Sequence, residues 1–365
     1  MLSTHIMNRI FYLCIAFIIL GHTDLSAQKK QVQKSQFPGL EWKQIVSPER
    51  MGFDSSILKE AKEFAASINS SAFMVIVDGK LVDQWGAVDK KYNTHSIRKS
   101  FLSVLYGKSI DEGHISMEST MEELGIDDKE GLSLSEKKAT IRDCLKARSG
   151  IYHPALYETE GMKSLKPARF SERAGTHWYY NNWDFNVLGT IYEQKTNKKI
   201  FQAIEQEIAI PIGMQDYTEM DGKYFNGEES MHGAYPFRVT ARDLARFGLL
   251  MLNKGKWKGK QLVSESWIAE STRYHSDATL YGIDGYGYMW WVSRDFNKFS
   301  HLPNVKLPEG TYSARGAGGH FVLIIPKYNM VIVHRVDTDI PNNRVTDADC
   351  GKLVSIILRS GNFDF

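Results

Sequence analysis

Cysteine is scarce in this sequence, with three residues at positions 14, 144 and 350. So few, so far apart, exclude a small scaffold stapled by disulfides. No Cys/His cluster has zinc-ligand spacing, and neither a phosphate-binding glycine loop nor a His-Glu-x-x-His helix occurs, so nothing calls for a metal, nucleotide or other cofactor. An excess of one charge is also missing. Lys and Arg number 45 against 43 Asp and Glu, a formal +2, with no long basic run. That balance removes the electrostatic reason to expect a nucleic acid or a polybasic membrane partner. Internal repeats and low-complexity tracts are absent too. What remains is 42% hydrophobic and 24% charged residues over 365 positions, enough for the core of one large or two intertwined domains.

The N-terminus places Arg9 ahead of the apolar run Ile10 to Leu20, followed by a polar stretch ending Leu25-Ser26-Ala27. The run is short for a bilayer span, and the small residues provide a cleavage site near Ala27. Residues 1–27 are therefore expected to be an export signal, with a periplasmic or extracellular mature chain starting near Gln28; an uncleaved anchor is the alternative. Cys14 follows Leu13 rather than a small residue, which argues against lipid modification. Cleavage leaves Cys144 and Cys350, which either pair in an oxidising compartment or pack in helices.

"DSSILKEAKEFAASI" predicts an amphipathic helix capped by Asp54 or Ser55. "SAFMVIVDGKLVDQWG" predicts a hairpin turning at Asp78-Gly79, a pair that tolerates left-handed backbone. "GGHFVLIIPKYNMVIVHRVD" predicts a second strand pair turning at Pro326 to Asn329, and a last helix is expected over 345–359. Residues from about 90 to 270 read as mainly helical. The pattern implies an α/β sheet domain completed by both chain ends, with an inserted helical domain and a cleft between them.

Ser-x-x-Lys occurs four times, at Ser26, Ser56, Ser96 and Ser135, so context must separate the matches. Ser26 falls in the export signal, Ser56 in a helix's first turn, and Ser135 among charges. Ser96 opens "SIRKSFLSVLYG", where apolar side chains alternate with Ser100, Ser103 and Gly107 as in a closely packed helix. There its hydroxyl sits near free backbone N–H groups, with Lys99 one turn on along the same face. A buried, uncharged Lys99 can take the serine proton. Arg98, inside the motif, must point away or pair with a carboxylate.

Tyr180 and Asn182 form a Tyr-x-Asn element ahead of an apolar helix; Tyr179/Asn181 and Tyr224/Asn226 match it as well. A phenol near the lysine can exchange protons, and an amide can orient lysine and substrate carbonyl. "YSARGAGGHFVLIIP" brings glycines to a strand, where one N–H can complete an oxyanion hole with that of Ser96, or the glycines mark a bulge.

Together these segments resemble serine hydrolases of the class C β-lactamase and penicillin-binding-protein-like superfamily. Ser96-Ile97-Arg98-Lys99 matches its nucleophile motif, Tyr180-Asn181-Asn182 its Tyr-x-Asn motif, and Ala314-Arg315-Gly316 falls at its Lys-Thr-Gly position. "LKARSGIYHP", "VTARDLARFGLLMLNKGKW" and the stretch 285–291 extend the resemblance over most of the mature chain. It implies an antiparallel sheet flanked by helices, with a sheet part at about 40–90 and 275–365 and a helical part at about 91–274. It further implies an acyl-enzyme on Ser96, a Lys99 and Tyr180 relay, and oxyanion N–H groups from Ser96 and Ala317, with Gly318 or Gly319 as alternatives to Ala317. The missing third-motif lysine, with only Arg315 beside Gly316, favours a non-lactam ester or small-amide hydrolase akin to 6-aminohexanoate-dimer hydrolase. A D-Ala-D-Ala carboxypeptidase, a weak β-lactamase and an inactive ligand-binding module are the other readings. Trp183, Tyr288 and Trp290 are candidates for an apolar substrate wall.

Overall fold

A computed structural model describes residues 36–282, 284–293 and 302–363. The expected export signal lies outside the described residues. Eight strands form one antiparallel sheet: β1 (Ala72–Val77), β2 (Lys80–Gly86), β3 (Ser276–Asp277), β4 (Gly285–Tyr286), β5 (Trp291–Val292), β6 (Tyr312–Gly316), β7 (His320–Ile325) and β8 (Met330–Arg335). Their order is β2-β1-β8-β7-β6-β5-β4-β3, so the last strand in sequence lies between β1 and β7. Ala72 pairs with Arg335 and Val77 with Met330.

The first hairpin turns where expected, because Asp78 and Gly79 both adopt positive φ, 52° and 74°. That backbone matches the twist of the flanking strands. A Cβ on Gly79 would stand 1.9 Å from the Gln36 carbonyl oxygen, so this turn needs glycine for room as well as for φ.

Alternation along each strand divides the core into two layers. Phe73, Val75, Leu323, Ile325 and Ile332 face helices α1 (Ser55–Ser67) and α5 (Asp347–Ser360). Met74, Ile76, Val322, Ile324 and Val333 face the opposite layer, which holds α2 (Ile97–Asp111), α3 (Asn182–Thr196) and α4 (Ala241–Leu252). Asp54 caps α1, accepting from Ser56 N at 2.8 Å, and Thr346 caps α5. Helix α4 falls within the stretch read as helical, yet packs directly on β1, β7 and β8. The reason is close approach: a Cβ on Gly248 would lie 2.5 Å from Val331. No helix among the described residues is long and apolar enough to cross a membrane.

Cys144 and Cys350 are both buried and both free, one in each core layer. Of the two sequence alternatives, packing is the one realised. Helix α2 runs between the sheet and α3, buried along almost its whole length. Its small residues permit this. Ser100 Oγ donates to the Met289 carbonyl at 2.8 Å, and a Cβ on Gly107 would stand 2.1 Å from the Trp267 ring.

Candidate active site

Ser96 is the N-cap of α2 and is half-buried, with φ −78° and ψ −8°, and its hydroxyl makes no capping hydrogen bond. The oxygen is therefore left for Lys99, whose Nζ lies 3.1 Å away. The same nitrogen is 2.7 Å from the Tyr180 hydroxyl and 2.9 Å from Asn182 Oδ1. Lys99 is only 2% exposed. Burial pushes its amine well below the usual lysine range, the positive charge of Arg98 adds to this, and Glu158 opposes it.

The orientation of Asn182 fixes the proton inventory. Its Nδ2 donates to the carbonyls of Tyr157, at 2.5 Å, and Leu156, at 3.4 Å, so its oxygen must face Lys99. An uncharged amine then has two N–H groups for Asn182 and Tyr180, and a lone pair for the Ser96 hydroxyl. The arrangement can draw the proton from serine without an ionised base. Asn182 thus orients Lys99 on one side and the 156–157 backbone on the other, which accounts for the lysine-orienting half of its expected role.

Tyr180 is held from its ring face, stacked on Trp291 at 5.0 Å and met edge-on by Tyr286 at 5.9 Å. Asn181 anchors the start of α3: it accepts from Trp183 N at 3.2 Å and donates to the Ile151 carbonyl at 2.7 Å and to Asp184 at 2.9 Å. Burial pushes the Asp184 carboxyl well up, beside Ser149 of the Ser-Gly loop. The two motifs are thus tied into one buried unit, which leaves Tyr180 and Asn182 little freedom.

Ser96 and Ala317 line the same cavity, of about 870 Å³. Ala317 opens the turn from β6 to β7. Gly318 and Gly319 follow at φ 90° and 99°, and Cβ atoms there would meet Thr338 and Val345 rather than the cavity. Of the glycine-run candidates, Ala317 is the one that lines the cavity with Ser96. Gly316 approaches the serine turn so closely that a Cβ would stand 2.7 Å from the Thr94 carbonyl oxygen and 3.2 Å from His95 Cβ.

Of the named site residues only Ser96 and Ala317 line the cavity itself; Lys99, Tyr180 and Asn182 reach it through Ser96, and four others are engaged elsewhere. Arg315 pairs with Asp347 at the start of α5. Strand alternation explains this: Tyr312 and Ala314 face the α2 layer, so Arg315 must face the other. Trp183 is wholly buried, its Nε1 donating to Asp128 at 2.7 Å. Trp290 stacks on Phe247 in the core. Tyr288 lies against His275 and bonds Arg142 and Glu270. All three aromatics satisfy packing needs that their position in the sequence does not reveal.

The cavity wall comes instead from Tyr152, Leu156, Tyr157, Met162 and Phe225. Tyr152, Leu156, Tyr157 and Phe225 were missed because loop residues carry no periodic signal, and Met162 because its helix, Glu160–Leu165, is too short to show one. His95 was missed too, although it adjoins Ser96. It holds a left-handed φ of 46°, its N–H donates to Asn93 Oδ1 at 3.0 Å, and its Nε2 lies 2.8 Å from Thr338 Oγ1. Burial, with Arg335 and Arg98 nearby, pushes this imidazole down to about 4.

The sheet, its two helical layers and the helix-capping serine beside a buried lysine define a β-lactamase/transpeptidase-like fold. The chain belongs to the beta-lactamase family, whose model matches residues 57–349, and so to the serine hydrolases of the β-lactamase and penicillin-binding-protein-like superfamily. An uncharacterised protein of Alkalihalophilus pseudofirmus is 22% identical over 312 residues, 77% of this chain and 88% of its own. A candidate 6-aminohexanoate-dimer hydrolase from Bacillus anthracis superposes with TM-score 0.62 at 21% identity, covering 90% of this chain and 88% of that one. EstCE1, a hydrolase with promiscuous acyltransferase activity, superposes with TM-score 0.59 at 12% identity, covering 87% and 100%. At these identities the superpositions speak for the fold.

Proposed function

We propose that this protein is an exported serine hydrolase that cleaves an ester or a small amide through an acyl-enzyme on Ser96. The single observation carrying the reading is the set of contacts at Lys99 Nζ, which reaches Ser96, Tyr180 and Asn182 within 3.1 Å in a buried setting. As Ser96 Oγ bonds to the substrate carbonyl carbon, its proton passes to the Lys99 lone pair. The N–H groups of Ser96 and Ala317 hold the developing oxyanion. Collapse breaks the bond to the leaving group, which receives the proton by way of Tyr180. Water repeats the sequence to free the acid.

The third motif supports a non-lactam substrate. It offers buried Ala314 where a lysine would meet a substrate carboxylate, and Arg315 is engaged by Asp347. The wall of Leu156, Met162 and Phe225 suits an apolar acyl group. A candidate 6-aminohexanoate-dimer hydrolase stands among the structural relatives, beside β-lactamases and penicillin-binding-protein homologues, and its named substrate is a linear amide. Export rests on the N-terminal run Ile10 to Leu20 and the small residues before Gln28.

The test is a serine-directed fluorophosphonate probe alongside a panel of short p-nitrophenyl esters, linear amides, a D-Ala-D-Ala peptide and a chromogenic cephalosporin. Labelling and ester or amide turnover are expected, both lost in Ser96→Ala. Labelling that persists in that variant moves the nucleophile elsewhere. Preferential turnover of the D-Ala-D-Ala peptide or cephalosporin replaces the substrate class, and binding without turnover turns the site into a ligand-binding module.

A further inference from the structure

Arg98 is the least expected side chain near the site. It is wholly buried, and among the described residues no carboxylate comes within ion-pair distance of it. Its guanidinium lies 4.6 Å from the Tyr235 ring centre and 5.5 Å from that of Tyr157, and Nη2 donates to Asn186 Oδ1 at 3.2 Å. Nε and Nη1 find no acceptor. Burying an unneutralised guanidinium is costly, and a solvated position or a carboxylate partner would relieve that cost. Neither is present.

The neighbours of Arg98 tie it to the amine. Asn182 and Asn186 lie one turn apart on α3. The first turns its oxygen to Lys99 and the second to Arg98, while both nitrogens reach the Leu156 carbonyl. One helix face therefore holds both the guanidinium and the amine. The charged and titratable groups facing Lys99 are few: Arg98 from α2, Tyr180 ahead of α3, and Glu158 from the cavity wall. Glu158 is itself bound by Lys166 at 2.8 Å. From α3, Asn182 and the Phe185 ring, 4.4 Å away, bring no charge, and Tyr286 of β4 meets the Tyr180 and Phe185 rings rather than the amine itself.

We propose that Arg98 is a positioning residue, whose buried and unneutralised charge, held by the same face of α3 that holds the Lys99 amine, works together with burial to leave that amine able to receive the Ser96 proton. The proposal rests on the reading of Lys99 as base. A charge that serves the amine explains why it is tolerated without a counter-ion. Like charge disfavours protonation of its neighbour, in the same direction as burial, and Glu158 acts oppositely.

Four forms of the full mature chain test this: wild type, Arg98→Met, Asn186→Asp and Glu158→Gln. Asn186→Asp retains the arginine but hands it a carboxylate, so it serves if Arg98→Met fails to fold. Two readouts are followed between roughly pH 5 and 10: kcat/KM on p-nitrophenyl butyrate, and the 13Cε shift of Lys99 in 13C-lysine protein, assigned with Lys99→Arg. Arg98→Met and Asn186→Asp are expected to raise the acidic limb and the Lys99 titration by about one unit or more, and Glu158→Gln to lower both. A purely structural role would reduce the rate at every pH and leave the titration still. An unmoved Lys99 titration in folded Asn186→Asp, or the same direction of movement in Glu158→Gln, overturns the proposal. A titration that moves as expected in a protein lacking ester turnover upholds Arg98 and refutes the proposed hydrolysis instead.

Discussion

Replacing Gly316 by alanine isolates the contribution of strand β6 to the placement of Ser96. The added methyl would start 2.7 Å from the Thr94 carbonyl oxygen and 3.2 Å from His95 Cβ. Ordinary contact lies near 3.5 Å, so the strand and the serine turn must part by on the order of 0.5–1 Å. Neither side yields by rotating a side chain. The turn is held by Asn93 at His95 N, by Thr338 at the imidazole, and by Thr94 Oγ1 on the Phe237 carbonyl at 2.9 Å. Overpacking of this kind costs about 1–3 kcal/mol. A displacement near 1 Å between nucleophile and oxyanion donor lowers kcat on the order of 100-fold. The assay is p-nitrophenyl butyrate turnover with a thermal melt. Gly113→Ala is the comparison, because that glycine has φ 75° and open space around its Cβ position. It should lose about 1–2 kcal/mol to backbone strain and keep full activity. A Gly316→Ala enzyme with wild-type kcat would refute the claim that this contact sets the geometry.

Three further outcomes follow from the site and its surroundings. Tyr180→Phe keeps the stack on Trp291 but loses the hydroxyl 2.7 Å from Lys99, so kcat should fall about 10²–10⁴-fold with little change in KM or melting temperature; steady-state kinetics check this. Asn182→Asp puts a carboxylate 2.9 Å from the amine and favours its charged form, so the acidic limb of the rate profile should rise by about two units and activity should return only in alkali. The imidazoles of half-buried His95 and fully buried His334 are both pushed down to about 4, chiefly by loss of solvent. The unfolded chain therefore binds more protons between pH 6.5 and 4; stability is complete above 6.5 and declines as pH falls to 4, by about 3 kcal/mol per histidine. Urea denaturation at pH 7 and pH 4.5 should show the loss, and His334→Gln should lessen it.

Local signals carried well from sequence to structure. The Asp78-Gly79 hairpin was legible because two successive left-handed residues are a backbone demand that few pairs meet. Helix α2 was legible because Ser100, Ser103 and Gly107 interrupt an apolar stretch only where something must come close. Ser96, Lys99, Tyr180 and Asn182 stood out through motif spacing, and the structure brings those four side chains together. What eluded sequence reasoning depends on distant partners. Nothing beside Trp183 announces Asp128, nor does anything beside Tyr288 announce Glu270. Leu156 and Phe225 reach the cavity from loops whose course no periodicity predicts. Arg98 was visibly odd, but its answer, two tyrosine faces and an amide instead of a carboxylate, comes from segments far along the chain.

The seating of β8 between β1 and β7 has a temporal consequence. As the polypeptide emerges from the ribosome, the first hairpin keeps a bare hydrogen-bonding margin until the strand that fills it has been made. Gly316, which abuts the serine turn, is likewise a late arrival. A nascent or prematurely ended product thus holds the serine and lysine in sequence yet lacks the frame that would arm them. Competence therefore waits on sheet closure, which the chain can complete only once its last strand has been made.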